Sequence, residues 1–353
     1  MNILLIGKFY EESFGLHISE TLVLMGHNTI NYTPGYKETN FFGIVGKRLN
    51  QLFYSLYSLA DNITKFRKLH IKKLFTVVKK ENFDIILVCH DFLRPEEVDL
   101  LRIYSNAKIA LWFPDSMINF GKAFFMNSKY DALFFKDPYI IYSLSDVLKT
   151  PIYYLPECYN PNRHHISNNE FQNIQFYECD ITTAGNLHSW RIAFFENLTK
   201  YKVKLWGNPP PLWAKNLSII NMHQGKAVYN SEKAIAFLSS KIVINNLHFS
   251  EGWGVNVRCF EAAGIGAFQM INWRPGLDHL FAEGEEIITF KNMVDLKEKI
   301  DYWLPRDEER KKIALSAKLR AAKEHTYELR LQLLLDTLYK KADGFTIPNI
   351  SQI

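Results

Sequence analysis

The residues best suited to chemistry lie in one stretch, residues 250–268, which reads SEGWGVNVRCFEAAGIGAF. The apolar run before it, residues 241–245, predicts a buried strand, and the residues from Val257 onward predict a short helix. A polar loop between a strand and a helix start binds anions, because free backbone N–H groups meet the positive end of the helix dipole there. Arg258, near the first helical turn, adds a fixed charge and a two-pronged donor for phosphate. The stretch therefore predicts a phosphate site.

Two interpretations of this stretch are open. Glu261 follows Arg258 by three residues and shares its helix face, so the two side chains could simply pair inside a buried unit. The phosphate site is favoured by Asn256 at the helix entrance, where it does not help packing, and by the glycines of the loop that starts at Glu251. Gly252 lets the backbone approach a ligand closely.

A second candidate site lies earlier in the chain, where Gly185 and Asn186 separate a predicted strand from a predicted helix. Arg191 falls one turn into that helix. It could have a functional role, which the Gly-Asn before the helix favours, or it could be an ordinary surface arginine.

These motifs carry a resemblance. Glu-Gly-x-Gly followed by Phe-Glu-Ala-Ala-Gly resembles the donor loop of GT-B glycosyltransferases, and the form Asn-Val-Arg-Cys-Phe-Glu-Ala-Ala-Gly is most similar to the CgeB-like, or spore-maturation-type, enzymes. The resemblance departs at Glu251, which nine residues separate from Glu261 where the broad retaining group has seven. It implies that the donor is bound by Gly185, Asn186, Arg191, Glu251, Gly252, Asn256, Val257, Arg258 and Glu261.

The elements around these sites predict an α/β protein with two Rossmann-like, doubly wound domains, because strands and helices alternate along both halves. In the second half we expect strands at 174–179, 203–206, 217–221, 241–245, 267–271 and 286–290. The predicted organisation is a first domain 1–157 for the acceptor, a linker 158–172, a donor domain 173–325, a helix 326–343 and a tail 344–353. The resemblance implies that the domains face a cleft and that the last helix crosses back to the first domain.

Two residues of the first domain are candidates for acceptor contact or for a catalytic base. Asp115 follows an aromatic strand, and the CgeB-like proteins carry a similar acidic turn; it could equally cap a turn or helix. His17 directly follows the first glycine-bearing loop. It could equally be an ordinary residue at the start of a helix. The adjacent His164 and His165 point apart in a polar loop, so we expect both to face solvent rather than a metal.

Composition narrows the function class. The net charge of +5 over 353 residues suits a phosphate-bearing ligand or an anionic membrane surface but is too small to indicate nucleic acid. The four cysteines are scattered, which predicts free thiols in a reducing compartment. No apolar run approaches the length of a membrane span, and the first strand lacks a signal peptide's basic start, so we expect a cytoplasmic protein.

Residues 47–80 combine a basic face with interleaved apolar residues. This pattern predicts helices that pack on the core with a solvated charged face. The alternative is a patch that docks on a membrane surface or on a lipid-linked acceptor.

The chemistry implied is transfer of a sugar from a nucleotide-diphosphate donor to a hydroxyl of a glycan, lipid-linked or protein acceptor, as in polysaccharide biosynthesis. The chain contains no Asp-x-Asp pair to hold a divalent ion. We therefore expect no metal and no cofactor: Arg191, Arg258 and nearby amides would stabilise the leaving phosphate, Glu261 would bind the ribose, and the resemblance implies retention at the anomeric carbon. A nucleotide-sugar epimerase of the same fold and a non-enzymatic membrane-surface module stay open as alternatives.

Overall fold

In a computed structural model of the protein, the described residues are 1–34, 63–166, 174–211, 213 and 216–347, with short pieces between 52 and 61. The chain divides into two compact units. The N-terminal unit comprises Met1–Pro114, Phe120–Phe134 and Leu148–Ile152, and the C-terminal unit comprises Asp115–Asn119, Phe135–Val147 and Tyr153–Ile353.

The first sheet contains six strands in the order β2-β1-β3-β4-β5-β6. Its strands are β1 Asn2–Ile6, β2 Asn28–Tyr32, β3 Ile85–Val88, β4 Lys108–Phe113, β5 Ala132–Phe135 and β6 Ile152–Tyr154. β1 pairs in parallel with both β2 and β3, and β3 pairs in parallel with β4. Nearly every residue of β1, β3 and β4 is apolar and buried, as expected for parallel strands that are covered on both faces.

In the N-terminal unit, the helices whose bounds are described are α1 Phe14–Leu24, α2 Thr64–Lys80 and α3 Pro95–Tyr104. Ser13 begins α1, because its side chain accepts a hydrogen bond from the backbone N–H of Leu16. In α2 the charged face is not wholly solvated. Arg67 is buried and forms an ion pair with Glu97, with 2.6 Å between Nε and Oε1. Residues 47–51, the start of the predicted basic region, lie outside the described residues.

The second sheet has the order β11-β10-β9-β7-β8, and the recorded pairings between its neighbours are parallel. Its strands are β7 Cys179–Ala184, β8 Val203–Trp206, β9 Ser240–Asn245, β10 Gln269–Asn272 and β11 Ile288–Phe290. The chain runs from β7 to one side through β8 and then to the other side through β9. The sheet therefore reverses its direction of winding between β7 and β9, which is the place where open α/β sheets bind ligands.

The helices of the C-terminal unit are α4 Pro138–Leu144, α5 Ile174–Tyr177, α6 Ser189–Phe195, α7 Leu217–Met222, α8 Asn230–Leu238, α9 Val257–Ile265, α10 Met293–Trp303, α11 Asp307–Glu324 and α12 Tyr327–Leu338. The turn after α9 requires glycine, because Gly266 has a φ of +88°. Within the described residues, no helix is both long enough and apolar enough to cross a membrane.

Two predicted strands are wrong. Residues 174–177 form a helical turn, and the strand runs instead from Cys179 to Ala184, where the β-branched residues favour an extended chain. Residues 217–221 lie in α7, because the Asn216 side chain accepts a hydrogen bond from the Ser218 amide and caps a helix there.

Candidate functional site

The candidate site lies in the C-terminal unit, at the carboxyl ends of β7 and β9. Arg258, in the first turn of α9, spans these two strand ends: its Nε donates to the carbonyl of Ala184 over 2.6 Å, and one terminal nitrogen donates to Asn245 Oδ1 over 2.9 Å. Asn245 Nδ2 in turn donates to Asn256 Oδ1 over 3.0 Å. The guanidinium is thus fixed at the point where the sheet reverses direction.

Arg191 reaches the same point from α6. A Cβ placed on Gly185 would lie 2.6 Å from a terminal nitrogen of Arg191 and 2.6 Å from a terminal nitrogen of Arg258. Gly185 has a φ of +132°, a conformation that other residues avoid. Glycine therefore leaves room for two guanidinium groups beside the end of β7, and the structure brings together the two arginines that the sequence singled out.

The two arginines form a pair of like charges. Burial and the nearby charge of Arg258 hold the pKa of Arg191 well below its ordinary value. Burial also lowers the pKa of Arg258, although Glu261, Glu157 and Glu251 act in the opposite direction. Within the described part of the chain, Arg191 has no carboxylate partner. Two buried like charges without a partner of opposite charge are costly, so this pair favours an anion that bridges both groups.

Glu261 does not form a simple ion pair with Arg258. Its Oε1 accepts from Lys233 Nζ over 2.8 Å, and His164 Nε2 lies 3.5 Å from the same oxygen. His164 is 3% exposed, so the prediction that it faces solvent is wrong; the linker after Pro161 turns it toward Glu261. Sequence analysis missed Lys233, and no local signal connects it to Glu261.

Glu251 is held by a buried lysine. Lys136, which follows β5, lies 3.0 Å from Glu251 Oε1 and 3.4 Å from Glu157 Oε2. Burial raises the pKa of Glu157 to about 8; Lys136 opposes that shift, and Glu251 and Asp115 add to it. Burial lowers the pKa of Lys136, but its carboxylate neighbours raise it above the ordinary value. Lys136 is thus the shared cation of a cluster of carboxyl groups.

The glycine loop is fixed by Asp137, the N-cap residue of α4. Its carboxylate accepts from the backbone N–H of Gly252 over 2.9 Å and of Trp253 over 3.0 Å. It also caps α4 by accepting from the Tyr139 amide. The loop therefore has a defined conformation before any ligand arrives, and a Cβ on Gly252 would lie 2.8 Å from Asp137 Oδ2.

The remaining predicted residues are placed as follows. Asn186 is exposed beside Gly185, and its Oδ1 accepts from Asn208 Nδ2 over 2.8 Å. Asn256 and Val257 stand at the entrance of α9, where Asn256 is the N-cap residue. Asp115 is half-buried in the C-terminal unit, close enough to act on the pKa of Lys136.

His17 lies in the N-terminal unit. It is buried within α1, and its carbonyl accepts from the Thr21 hydroxyl over 2.8 Å. Its predicted contact with an acceptor stays a prediction.

Residues 190–336, which include both arginines and Glu261, match a family model described as "Glycosyl transferase-like". No curated protein sequence matches the chain.

Solved structures match the chain over almost its whole length. A glycosyltransferase from Rickettsia africae has a TM-score of 0.65 at 15% identity and covers 96% of this chain and 98% of its own. HepE from Anabaena, in complex with UDP and glucose, has a TM-score of 0.64 at 12% identity, with coverages of 96% and 100%. Sucrose-phosphate synthase from Thermosynechococcus elongatus has a TM-score of 0.65 at 12% identity, with coverages of 96% and 98%.

The chain has the GT-B fold. The predicted fold class, an α/β protein with two Rossmann-like domains, is confirmed by these neighbours and by the two parallel sheets. In this GT-B chain the arginine pair lies at the reversal of the C-terminal sheet, where the fold's general rule places a ligand.

Proposed function

We propose that this GT-B protein is a glycosyltransferase of the CgeB-like type, which moves a sugar from a nucleotide-diphosphate donor to a hydroxyl acceptor. The observation that carries the proposal is the Arg191–Arg258 pair over Gly185. A diphosphate is the ligand that matches two adjacent guanidinium groups at a helix start, because each group can form charge-assisted hydrogen bonds with phosphate oxygens.

The arrangement suits stabilisation of a leaving group. When the bond between the sugar's anomeric carbon and the β-phosphate oxygen breaks, negative charge builds up on that phosphate, while the acceptor oxygen bonds to the anomeric carbon and loses its proton. Arg191, Arg258 and the first amides of α9 are fixed in advance where this charge would appear, which is the efficient form of electrostatic catalysis. We propose that they take the place of a divalent ion.

We propose the other roles that the sequence predicted as well. Glu261, held by Lys233, would accept hydrogen bonds from the ribose hydroxyls. The Asp137-fixed loop from Glu251 to Trp253 would present its backbone to the donor sugar. Asp115 or His17 would contact the acceptor or accept its proton, and we propose that the configuration at the anomeric carbon is retained.

HepE from Anabaena was solved with UDP-glucose as well as with UDP, so a neighbour of this fold takes a nucleotide sugar. For the present chain, a thermal-shift panel of UDP, GDP, dTDP and CMP tests the donor. A nucleotide that binds the folded state raises the melting temperature by mass action. A panel in which no nucleotide shifts the melting temperature would contradict the proposal.

Arg258→Ala is the decisive variant. It should lower turnover by at least about a hundredfold, since the loss of one preorganised donor at a developing charge costs that much. Arg306→Ala is the matched control, because Arg306 stacks on Tyr302 at the start of α11. Turnover measured with and without EDTA tests metal independence.

The two alternatives are separated by simple assays. Incubation with donor alone gives a second nucleotide sugar only if the protein is an epimerase. A membrane-surface module would bind anionic liposomes without binding nucleotides. A specific observation keeps membrane contact open for the enzyme itself: Phe66 and Leu69 of α2 are exposed beside Lys72 and Lys73.

A further inference from the structure

Helix α4 and the glycine loop form a cluster of aromatic rings in the C-terminal unit. The ring of Trp253 meets Tyr139 edge to face, with 5.1 Å between centroids and 79° between the ring planes. The same ring is tilted against Tyr142, at 5.5 Å and 43°. Tyr139 and Tyr142 are three residues apart in α4, so they lie on the same side of the helix. We call Tyr139, Tyr142 and Trp253 the aromatic cluster.

Asp137 fixes the aromatic cluster to the glycine loop. Its carboxylate accepts from the backbone N–H of Tyr139 over 2.9 Å and from that of Trp253 over 3.0 Å. The carbonyl of Trp253 accepts from the Gly276 amide over 2.8 Å. The rings are therefore held in place by backbone hydrogen bonds on both sides of the contact. Trp253 directly follows Gly252, in the loop that the proposed function places beside the donor sugar.

The aromatic cluster is open to solvent. Tyr142 is 63% exposed, Tyr139 is 38% exposed and Trp253 is half-buried. A single exposed aromatic residue is ordinary, but three rings that contact each other and stay exposed form a surface that a ligand can cover. Tyrosine and tryptophan each combine an apolar body with a polar tip. The surface therefore suits a ligand that is apolar on one face and polar at its edge.

A sugar ring has this chemistry. One face of a pyranose presents C–H groups, which pack against the electron-rich face of an aromatic ring, and its hydroxyls lie at the edge, where tyrosine hydroxyls can bond to them. An acyl chain has no polar edge to match those hydroxyls. Under the proposed function, the diphosphate of the donor is held at Arg191 and Arg258. The aromatic cluster is then available to the second substrate.

We propose that the aromatic cluster is an acceptor subsite, and that the acceptor is a glycan with a sugar ring that stacks on Tyr139, Tyr142 and Trp253. The proposal rests on the proposed function and deepens it, because it selects the glycan from the three acceptor classes. A sugar ring stacked on the cluster is held beside the glycine loop. Such anchoring orients an acceptor hydroxyl for transfer and lowers the entropy cost of the reaction.

The first measurement uses the full chain in the presence of UDP, on a microarray of purified bacterial, fungal, plant and animal glycans. We expect binding to a group of glycans that share one sugar unit. Saturation-transfer NMR with the strongest of these glycans should show the transfer concentrated on the C–H protons of a single ring. That pattern is the signature of a sugar face packed on aromatic side chains.

Variants of the most exposed ring assign the subsite. Tyr142→Ala should weaken binding of the strongest glycan at least about tenfold, since it removes one stacked ring. Tyr142→Phe keeps the ring and should retain most of the affinity. Both variants should keep the Kd for UDP-glucose, which calorimetric titration measures separately. Tyr302→Ala is the matched control, because Tyr302 is an exposed tyrosine of α10, 50% exposed, outside the aromatic cluster. It should leave glycan binding unchanged.

The outcomes separate the two proposals. If the array shows no binding, or if Tyr142→Ala and the double variant Tyr139→Ala, Tyr142→Ala keep full glycan affinity, the acceptor subsite is overturned while the donor site stands. Transfer to a peptide or a lipid with no sugar, unaffected by Tyr142→Ala, would overturn it as well. If no nucleotide of the panel binds, the proposed function fails and the acceptor role fails with it, even where a glycan binds to the cluster.

Discussion

Arg191 and Arg258 point their guanidinium groups at the same place, the space above Gly185 that a side chain would otherwise occupy. The two residues come from different helices and meet at the reversal between β7 and β9. Two like charges that are buried close together are unfavourable unless a ligand of opposite charge completes the arrangement. We therefore predict that the arginine pair lowers the stability of the ligand-free protein and raises its affinity for the donor.

Arg191→Met tests both effects. Methionine keeps much of the apolar length of arginine but removes a buried charge that repels Arg258. We expect the free energy of unfolding of the empty protein to stay equal or to rise by about 1 kcal/mol or more, while UDP-glucose affinity falls at least about tenfold. Chemical denaturation and calorimetric titration give the two quantities. A variant that loses stability and keeps its affinity would show that Arg191 is structural.

The space above Gly185 can be filled directly. Gly185→Ala places a methyl group between the two guanidinium groups and forces alanine into a positive φ, so we expect donor affinity to fall at least about tenfold and stability to fall by about 1–3 kcal/mol. Gly26→Ala is the matched control: Gly26 also has a positive φ, +83°, but no atom lies within 4 Å of its added Cβ. It should lose stability and keep donor affinity. Equal loss of affinity in both variants would contradict the arginine site.

The acid cluster around Lys136 predicts a dependence of stability on pH. The ordinary pKa of a glutamate is 4.5, and that of Glu157 is about 8 in the folded chain. The folded chain therefore keeps a proton that the unfolded chain releases, so stability falls as the pH rises from about 4.5 to about 8. Glu157→Gln should remove this fall and raise the free energy of unfolding at pH 8.5 relative to the original protein. Glu328→Gln, at an exposed position, should leave the fall in stability unchanged. If stability depends on pH in the same way in both variants, Glu157 is not the group responsible.

His325 predicts the opposite slope. It is fully buried between α11 and α12, its Nε2 contacts the carbonyl of Leu280 over 2.8 Å, and its Nδ1 lies 2.6 Å from Arg330. Burial and Arg330 lower its pKa from 6.5 to about 3. The unfolded chain therefore binds a proton that the folded chain refuses, and stability falls as the pH drops from about 6.5 toward 3.

His325→Gln tests this slope, because glutamine can accept from Arg330 and donate to Leu280 without titrating. We expect a smaller loss of melting temperature between pH 7 and pH 5 than in the original protein. His165→Gln, at an exposed histidine, should leave the loss unchanged. If both variants behave alike, His325 does not control the acid sensitivity.

Sequence by itself determined the local parts of this protein. The strand, glycine loop and helix around Arg258 were predictable because a helix start, its anion-binding amides and its first-turn arginine depend on neighbouring residues only. Gly185 followed by Arg191 was predictable for the same reason. The alternation of strands and helices gave the two Rossmann-like domains, because parallel sheets require a crossover after each strand.

For short apolar runs, the local sequence did not decide between a strand and a helix. Residues 217–221 are apolar enough for either a strand or a helix, and the Asn216 cap decided for a helix. Residues 174–177 form a helical turn, in which the rings of Phe176 and Tyr177 pack against Trp206.

Only the tertiary structure decided which charges are neutralised and which are left for a ligand. Lys136 meets Glu251 across 115 residues of sequence, and Lys233 meets Glu261 across 28. His164 belongs to a polar loop, but its side chain faces Glu261. Such partners are chosen by the packing of strands and helices that are distant in the chain, so no local spacing records them. Because those pairings occupy the carboxylates, the positive charge of Arg191 and Arg258 remains at the end of the sheet.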